Sequence, residues 1–176
     1  VLLTILRDGS VSSILELGVG QSSILLIQYM RFFKRELTLI DNDAEWLRYV
    51  TQDAADIATV HAELVDMSIC GKSIRWYGCE QLSKTFDLLV VDGPMSYSRS
   101  LQYNRLGILR WLPIIMREEF IIIIDDTSRL GERLLVVAII DRFKQLDGPL
   151  LQKREITGGN SQTLLATPKF KTYLYL

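Results

Sequence analysis

The sequence predicts an α/β protein: a doubly wound, mostly parallel seven-stranded sheet with helices on both faces and a C-terminal antiparallel hairpin. Three observations predict it. Short apolar runs alternate with longer stretches of helical period. Runs such as Leu88-Leu89-Val90-Val91 and Ile121-Ile122-Ile123-Ile124 are apolar on both faces, as a parallel strand covered by helices on both sides requires. Near the C-terminus, two strand-like runs flank Gly158-Gly159-Asn160, a hairpin signal.

The elements follow in order. Residues 1–8 read as a helix stopped by Gly9. The first strand covers 13–17. A helix over 22–34 places Leu25, Leu26, Tyr29, Phe32 and Phe33 on one broad face. The second strand, 37–40, ends at Asp41, and a helix over 44–58 is opened by Asn42 or Asp43 as its cap. Residues 60–65 form the third strand. The fourth, 86–91, runs into Asp92-Gly93-Pro94. A helix over 104–116 carries Pro113 near its end, and the fifth strand, 120–124, ends in Asp125-Asp126. A helix over 131–146 stops at Asp147-Gly148-Pro149. Residues 150–156 and 162–167 are the strands of the final hairpin.

With 176 residues the chain is long enough for one domain with its own core, and residues 1–176 are read as that domain. Hydrophobic residues make up 48% and charged residues 23%, the balance of a soluble globular protein. A net charge of −1 provides no broad basic field, so no nucleic-acid partner is expected. Charges interrupt the apolar runs well short of the roughly 20 residues that span a bilayer. The opening run lacks the basic lead and small-residue cleavage site of a signal peptide. The chain opens on Val1 and not on Met, which reads as a piece of a longer protein. Cys70 and Cys79 are too few for a disulfide framework, and with His61 as the single histidine they fit no zinc spacing. Both read as reduced thiols of a cytoplasmic protein, and His61 reads as structural.

The most informative stretch is Ile14-Leu15-Glu16-Leu17-Gly18-Val19-Gly20-Gln21-Ser22-Ser23. An apolar run containing an acid meets two spaced glycines, then serines that open a helix. Glycine lets the backbone turn tightly and approach a ligand. The exposed N–H groups of the helix start attract polar or negative groups. Acids then recur at strand ends: Glu16, Asp41, Asp92 and the pair Asp125-Asp126. One such acid would mean little. The same placement on several parallel strands gathers them at one rim, where ligands of open α/β sheets bind. Asp41 lies about 20 residues after the glycine turn, where a carboxylate accepts both hydroxyl hydrogens of a ribose. Its alternative role is a helix cap.

The run Glu16-Leu17-Gly18-Val19-Gly20-Gln21-Ser22 resembles the first motif of class I S-adenosylmethionine-dependent methyltransferases, a Rossmann-like family. The family pattern is acid-x-Gly-x-Gly-x-Gly, and Ser22 stands at its third glycine. Asp41 matches the family's second-strand acid and Asp92 its fourth-strand acid. The element order from Ser13 to Thr167 is also similar. The resemblance implies S-adenosylmethionine as cofactor and methyl transfer as activity. It implies that Glu16, Gly18, Gly20 and Ser22 form the methionine end of the site and that Asp41 holds the ribose. Asn42 would lie along the adenine, Asp66 would reach the adenine amino group, and Asp92 would complete the cofactor pocket. Trp76 and Tyr77 are read as core or as stacking partners of the cofactor, with core preferred. Two alternatives stay open. An NAD-binding oxidoreductase fragment would need a third glycine where Ser23 stands. A non-catalytic methyltransferase-like module would bind a partner instead.

For a hydroxyl acceptor the proton must be removed or weakened. Asp92, Asp125 and Asp126 are the catalytic candidates, by either of two routes. As a metal site they offer hard oxygens to Mg²⁺ or a similar ion, which would lower the pKa of a bound hydroxyl. This is similar to the metal site of catechol-type O-methyltransferases. Here, however, Asp-Asp-Thr replaces the usual Asp-Asn, and Gly93-Pro94 stands where a Lys often follows. In the metal-free route one of the acids is the base, helped by the mutual repulsion of crowded carboxylates. The polar segment 95–104 is expected to hang over the site, with Tyr97, Arg99 and Tyr103 toward the acceptor. Arg99, Arg105 and Arg129 are candidates to meet a phosphate or carboxylate on it. The small insert points to a small-molecule or sugar-containing acceptor. Homo-oligomerisation is left open.

Overall fold

The computed structural model describes residues 1–7, 9–80, 82–158 and 160–175. Its main sheet has seven strands in the order β3-β2-β1-β6-β7-β9-β8. They are β1 (Ser13–Leu17), β2 (Glu36–Asp41), β3 (Ala58–His61), β6 (Phe86–Val91), β7 (Met116–Ile124), β8 (Gln152–Ile156) and β9 (Gln162–Ala166). The pairings β1–β2, β1–β6, β2–β3 and β6–β7 are parallel, and β9 runs antiparallel to both its neighbours. The doubly wound sheet and its closing hairpin are those expected. Gly159, part of the expected hairpin turn, and Asp8, the last residue of the expected first helix, lie outside the described residues.

Side chains alternate between two cores. Ile14, Leu88, Val90, Ile121 and Ile123 face one layer. It is built by α1 (Leu2–Leu6), α2 (Gln21–Phe33), α3 (Ala44–Thr51) and a terminal 3-10 turn, Pro168–Tyr175. Leu15, Leu17, Leu89, Val91, Ile122 and Ile124 face the other. That layer holds α4 (Leu130–Gln145), a 3-10 turn at Asn104–Arg110 and a separate hairpin of β4 (Leu64–Ile69) and β5 (Lys72–Tyr77). Burial on both faces explains why the central strands read as unbroken apolar runs.

Four boundaries differ from expectation. The helix expected over 44–58 ends at Thr51, and turns closed by Ala54 N–H to Thr51 O (2.8 Å) and Ile57 N–H to Ala54 O (3.0 Å) deliver the chain to β3. The strand expected over 60–65 is two strands. β3 belongs to the main sheet and β4 to the separate hairpin, with Ala62 and Glu63 as the bend. Cys70 and Gly71 turn that hairpin with φ of 50° and 70°, the left-handed pair of a type I′ turn. The helix expected over 104–116 is a 3-10 turn that ends at Arg110, since Gly107 lies against the ring of Trp76 and Pro113 cannot donate to a helical ladder. β7 starts early, at Met116, because Met116 pairs with Phe86.

At the amino ends of the central strands Asp87 acts as a brace. Its carboxylate accepts from Ser12 N–H (3.1 and 3.0 Å), Ser12 Oγ (2.6 Å), Ser13 N–H (3.0 Å) and Arg117 Nη1 (3.2 Å). It thus ties β6 to the chain entering β1 and to β7. Asp87→Ala would strand buried N–H groups, and we expect a loss of about 2–4 kcal/mol in urea unfolding. Ligand binding by the folded fraction should be unchanged, because the brace sits at the far end of the sheet from the glycine turn.

Candidate active site

The strand order reverses between β1 and β6, and the two strands end in contact. Gly18 has φ of +86°, and a Cβ on it would lie 2.5 Å from Gly93 N and 2.7 Å from Gly93 Cα. A Cβ on Gly93 would in turn lie 2.5 Å from both Gly18 Cα and Tyr77 Oη. Leu17 O accepts from Asp92 N–H (2.9 Å) and Gly93 N–H (2.6 Å), which locks the apposition. Only glycine fits on either side.

The turn is pinned from β2 and α3. Val19 N–H donates to Asp41 Oδ2 at 2.7 Å, and Trp46 Nε1 donates to Val19 O at 2.7 Å. Asp41 Oδ1 accepts from Asp43 N–H at 2.8 Å. The cap of α3 is Asp43, which accepts from Glu45 N–H (3.0 Å) and Trp46 N–H (2.9 Å). Asp41 is therefore not needed as a cap. Behind the turn, Ser22 Oγ and Ser23 Oγ donate to Glu16, each at 2.5 Å, and Ser23 Oγ accepts from Gly20 N–H at 2.9 Å.

A cavity of about 410 Å³ opens at this point, at the carboxyl ends of the strands. Gly18, Asp41, Asn42, Tyr77, Asp92 and Gly93 are among its walls. Of the expected site residues, Gly18, Asp41, Asn42 and Asp92 meet here. Others are placed elsewhere. Glu16 is 0% exposed and belongs to the frame of the turn, because it lies within β1 and its oxygens are engaged by the serines. Ser22 is turned to Glu16 and does not line the cavity. Gly20 is not part of the wall either, though a Cβ on it would meet nothing within 4 Å. Asp66 is on the outer side of β4, its side chain 92% exposed and 3.8 Å from Arg75. The hairpin gives the cavity Leu64, Arg75 and Tyr77 instead. Trp76 is core, as preferred, whereas its neighbour Tyr77 is both buried and cavity-lining. A concavity of about 470 Å³ between the β4–β5 turn and α4 lies away from the strand ends and gathers no acids from the sheet.

Asp92, Asp125 and Asp126 converge as expected, with one carboxylate oxygen from each lying within 4.8 Å of the others. The spacing suits a cation, but Arg105 already stands among them. Its side chain is 5% exposed, with Nη2 at 3.0 Å from Asp92 Oδ1 and 3.6 Å from Asp126 Oδ2. Nη2 also donates to Asp92 O, Nη1 to Asp125 O (3.1 Å) and Nε to Pro94 O (3.3 Å). Arg129 pairs with Asp126 at 2.7 Å, and Gln162 Nε2 donates to Asp125 Oδ1 at 3.0 Å. Two guanidinium groups thus offset part of the charge of the three acids and engage the Asp92 and Asp126 oxygens that Mg²⁺ would need, so the donor set does not fit that ion. Buried Glu132 extends the cluster, 3.6 Å from Arg105 Nη1 and hydrogen-bonded by Ser96 Oγ. Arg105 and Arg129, expected to face an acceptor, serve this internal network, whereas Arg99 is exposed. Asp125 and Asp126 do not line the cavity; Asp92 does. Burial pushes the Asp92 carboxyl up to about 6, with Arg105 opposing and Asp125 and Asp126 assisting.

No protein-family model matches the chain, and no curated protein matches it in sequence. Solved structures match over nearly its whole length. A methyltransferase from Pyrococcus furiosus is 15% identical, with a TM-score of 0.56 over 93% of this chain and 80% of that one. The N-methyltransferase NodS from Bradyrhizobium japonicum WM9, in complex with S-adenosyl-L-homocysteine, is 16% identical, with a TM-score of 0.57 over 95% and 84%. The ribosomal protein L11 methylase from Lactobacillus delbrueckii subsp. bulgaricus is 18% identical, with a TM-score of 0.56 over 94% and 76%. The chain has the class I methyltransferase fold. Within this methyltransferase fold the crossover from β3 to β6 is made by the β4–β5 hairpin, where parallel strands are usually joined through a helix. No helix of the described residues is long and apolar enough to cross a membrane.

Glu16 links the turn to pH. Burial raises its carboxyl from 4.5 to about 7, with Asp92 and Asp41 assisting and the Ser22 and Ser23 hydroxyls opposing. Folding thus favours the neutral form. Its contribution is complete below pH ~4.5 and is lost as pH rises through about 7, a change on the order of 3 kcal/mol. Glu16→Gln should remove that part of the pH slope. Urea unfolding of both proteins at pH 4.5 and pH 8 checks it, and parallel slopes would contradict the assignment.

Proposed function

We propose that the chain binds S-adenosylmethionine in the cavity above Gly18 and Gly93 and transfers its methyl group to a hydroxyl of a small-molecule or sugar-containing acceptor. The observation that carries this reading is the meeting of Gly18, Asp41 and Asp92 around one cavity where the strand order reverses. A volume of about 410 Å³ is within the range of small-ligand sites. The bound S-adenosylhomocysteine of the structural neighbour NodS supports it by analogy.

The bound cofactor supplies a methyl group on a positively charged sulfur. The chain's residues supply position and charge. Asp41 is fixed by two backbone N–H groups and keeps lone pairs for ribose hydroxyls. Asn42 stands next to it for the adenine, and the Gly18 backbone leaves room for the methionine portion. Asp92 lies across the cavity from β2, and its negative charge favours a cationic sulfur. It is also the one member of the acidic cluster that faces the cavity, so it takes the acceptor proton. Asp125 and Asp126 hold Arg105 and Arg129 in place and thereby orient Asp92. A carboxyl that titrates near 6 is ionised, and able to accept, above that value.

Calorimetry with S-adenosylhomocysteine tests the binding half. The wild type should bind, and Asp41→Ala should bind about 10- to 100-fold more weakly, given loss of hydrogen bonds to a charged group. Binding of NAD in place of S-adenosylhomocysteine would overturn the reading. Labelled methyl transfer to a panel of phenols and sugars tests the other half. Turnover should rise as pH passes through about 6, persist in a chelator, and lose that rise in Asp92→Asn. Turnover that collapses on chelation would restore the metal route.

A further inference from the structure

Tyr77 ends β5 with 1% exposure, and its Oη has no hydrogen-bond partner among the described residues. The ring is firmly held. It packs against Trp76 with centroids 4.9 Å apart, and Trp76 is wedged between Gly107 and Trp111. Gly78 N–H donates to Glu63 O at 2.8 Å and Arg75 N–H to Asn104 Oδ1 at 2.9 Å, which fixes the strand on both edges. The hydroxyl cannot swing to solvent without moving the hairpin. It packs against Gly93 at the Gly18–Gly93 contact, and Tyr77 lines the cavity together with Asp41 and Asp92.

Folded proteins rarely leave a buried hydroxyl unpaired, because its lost hydration is not repaid. Phenylalanine would fill the same space without that cost. Among the described residues, Trp76 Nε1, Ser13 Oγ and Glu132 Oε2 are also unpaired, but none of them lines the cavity. The Tyr77 hydroxyl is therefore placed to meet something in the cavity. Burial first, and Asp41 next, hold its proton in place, so toward a ligand it acts as a donor.

We propose that Tyr77 Oη donates a hydrogen bond to a ribose oxygen of the S-adenosyl ligand, on the side facing Asp41. This rests on the function proposed above and adds a residue from the β4–β5 hairpin to that site. A ribose hydroxyl gives its hydrogen to the Asp41 carboxylate and receives one from Tyr77. The sugar is thus read by an acceptor and a donor at once. The glycine contact below leaves the sugar room to sit between them.

Tyr77→Phe tests this with two ligands, S-adenosylhomocysteine and 5′-methylthioadenosine, which shares the ribose but lacks the amino-acid end. Calorimetry should show both weakened by the same factor, about five- to tenfold. The ligand-free variant should melt at the wild-type temperature or above it, since an unpaired hydroxyl has been removed. Unchanged affinities, a loss confined to S-adenosylhomocysteine, or a lower melting temperature without ligand would each overturn the inference. If the wild type binds neither ligand, the methyltransferase reading fails and takes the inference with it. If it binds both and Tyr77→Phe binds them equally well, the inference alone fails.

Discussion

The site depends on two glycines from adjacent strands touching backbone to backbone. Gly18 and Gly93 leave no room for a methyl group on either side. That contact brings the ends of β1 and β6 into register at the point where the sheet changes direction. Everything in the cavity is measured from it. Asp41 reaches it through Val19 N–H, Tyr77 rests on it, and Asp92 immediately precedes it in the chain. A side chain at either glycine would push the strand ends apart and dissolve the floor on which the other groups converge.

Around this floor one residue type takes several roles, sorted by partner and depth. Glu16 is sealed behind the turn with two serine hydroxyls and, among the described residues, no ion-pair partner, so burial tilts it toward its neutral form. Asp41 is held by two backbone N–H groups. Asp126 is clasped by two arginines, and Asp92 shares one of them while keeping a face on the cavity. Arg105 provides within the protein the positive charge that a divalent ion would otherwise bring to clustered carboxylates. Removing one partner from such a buried network leaves an uncompensated charge, so the network also keeps Asp92 in one position.

Much of this was legible in the sequence, for reasons specific to each segment. β6 and β7 are covered on both faces and carry the unbroken apolar stretches 88–91 and 120–124, while β1 is interrupted by the buried Glu16. The glycine turn and the acids after β2 and β6 were visible because few other arrangements place those residues there. The β4–β5 hairpin leaves a trace in the alternation of Ile74, Arg75 and Trp76 and in the glycine at its turn, Gly71. The bend at Ala62-Glu63 is too short to show in the sequence, so 60–65 reads as one strand. Asp66 then falls just past that strand, at the rim, whereas in the fold it lies on the outer side of β4. Spacing does not reveal which way Glu16 points within its strand, and its oxygens meet the Ser22 and Ser23 hydroxyls behind the turn. Arg105 resembles any other loop arginine until the fold brings Asp92, Asp126 and Glu132 to it, and that is long-range information.

Strand β6 has an acid near each end, and they do different work. Asp87 fastens the strand into the molecule, while Asp92, five positions on, serves the cavity. The two lie about 16 Å apart along an extended chain, with only doubly buried aliphatic residues between them. Anchoring and the lining of the cavity are therefore insulated from each other along a single strand. Selection can rework the rim without loosening the foundation, and it can adjust robustness at the foundation without disturbing the rim.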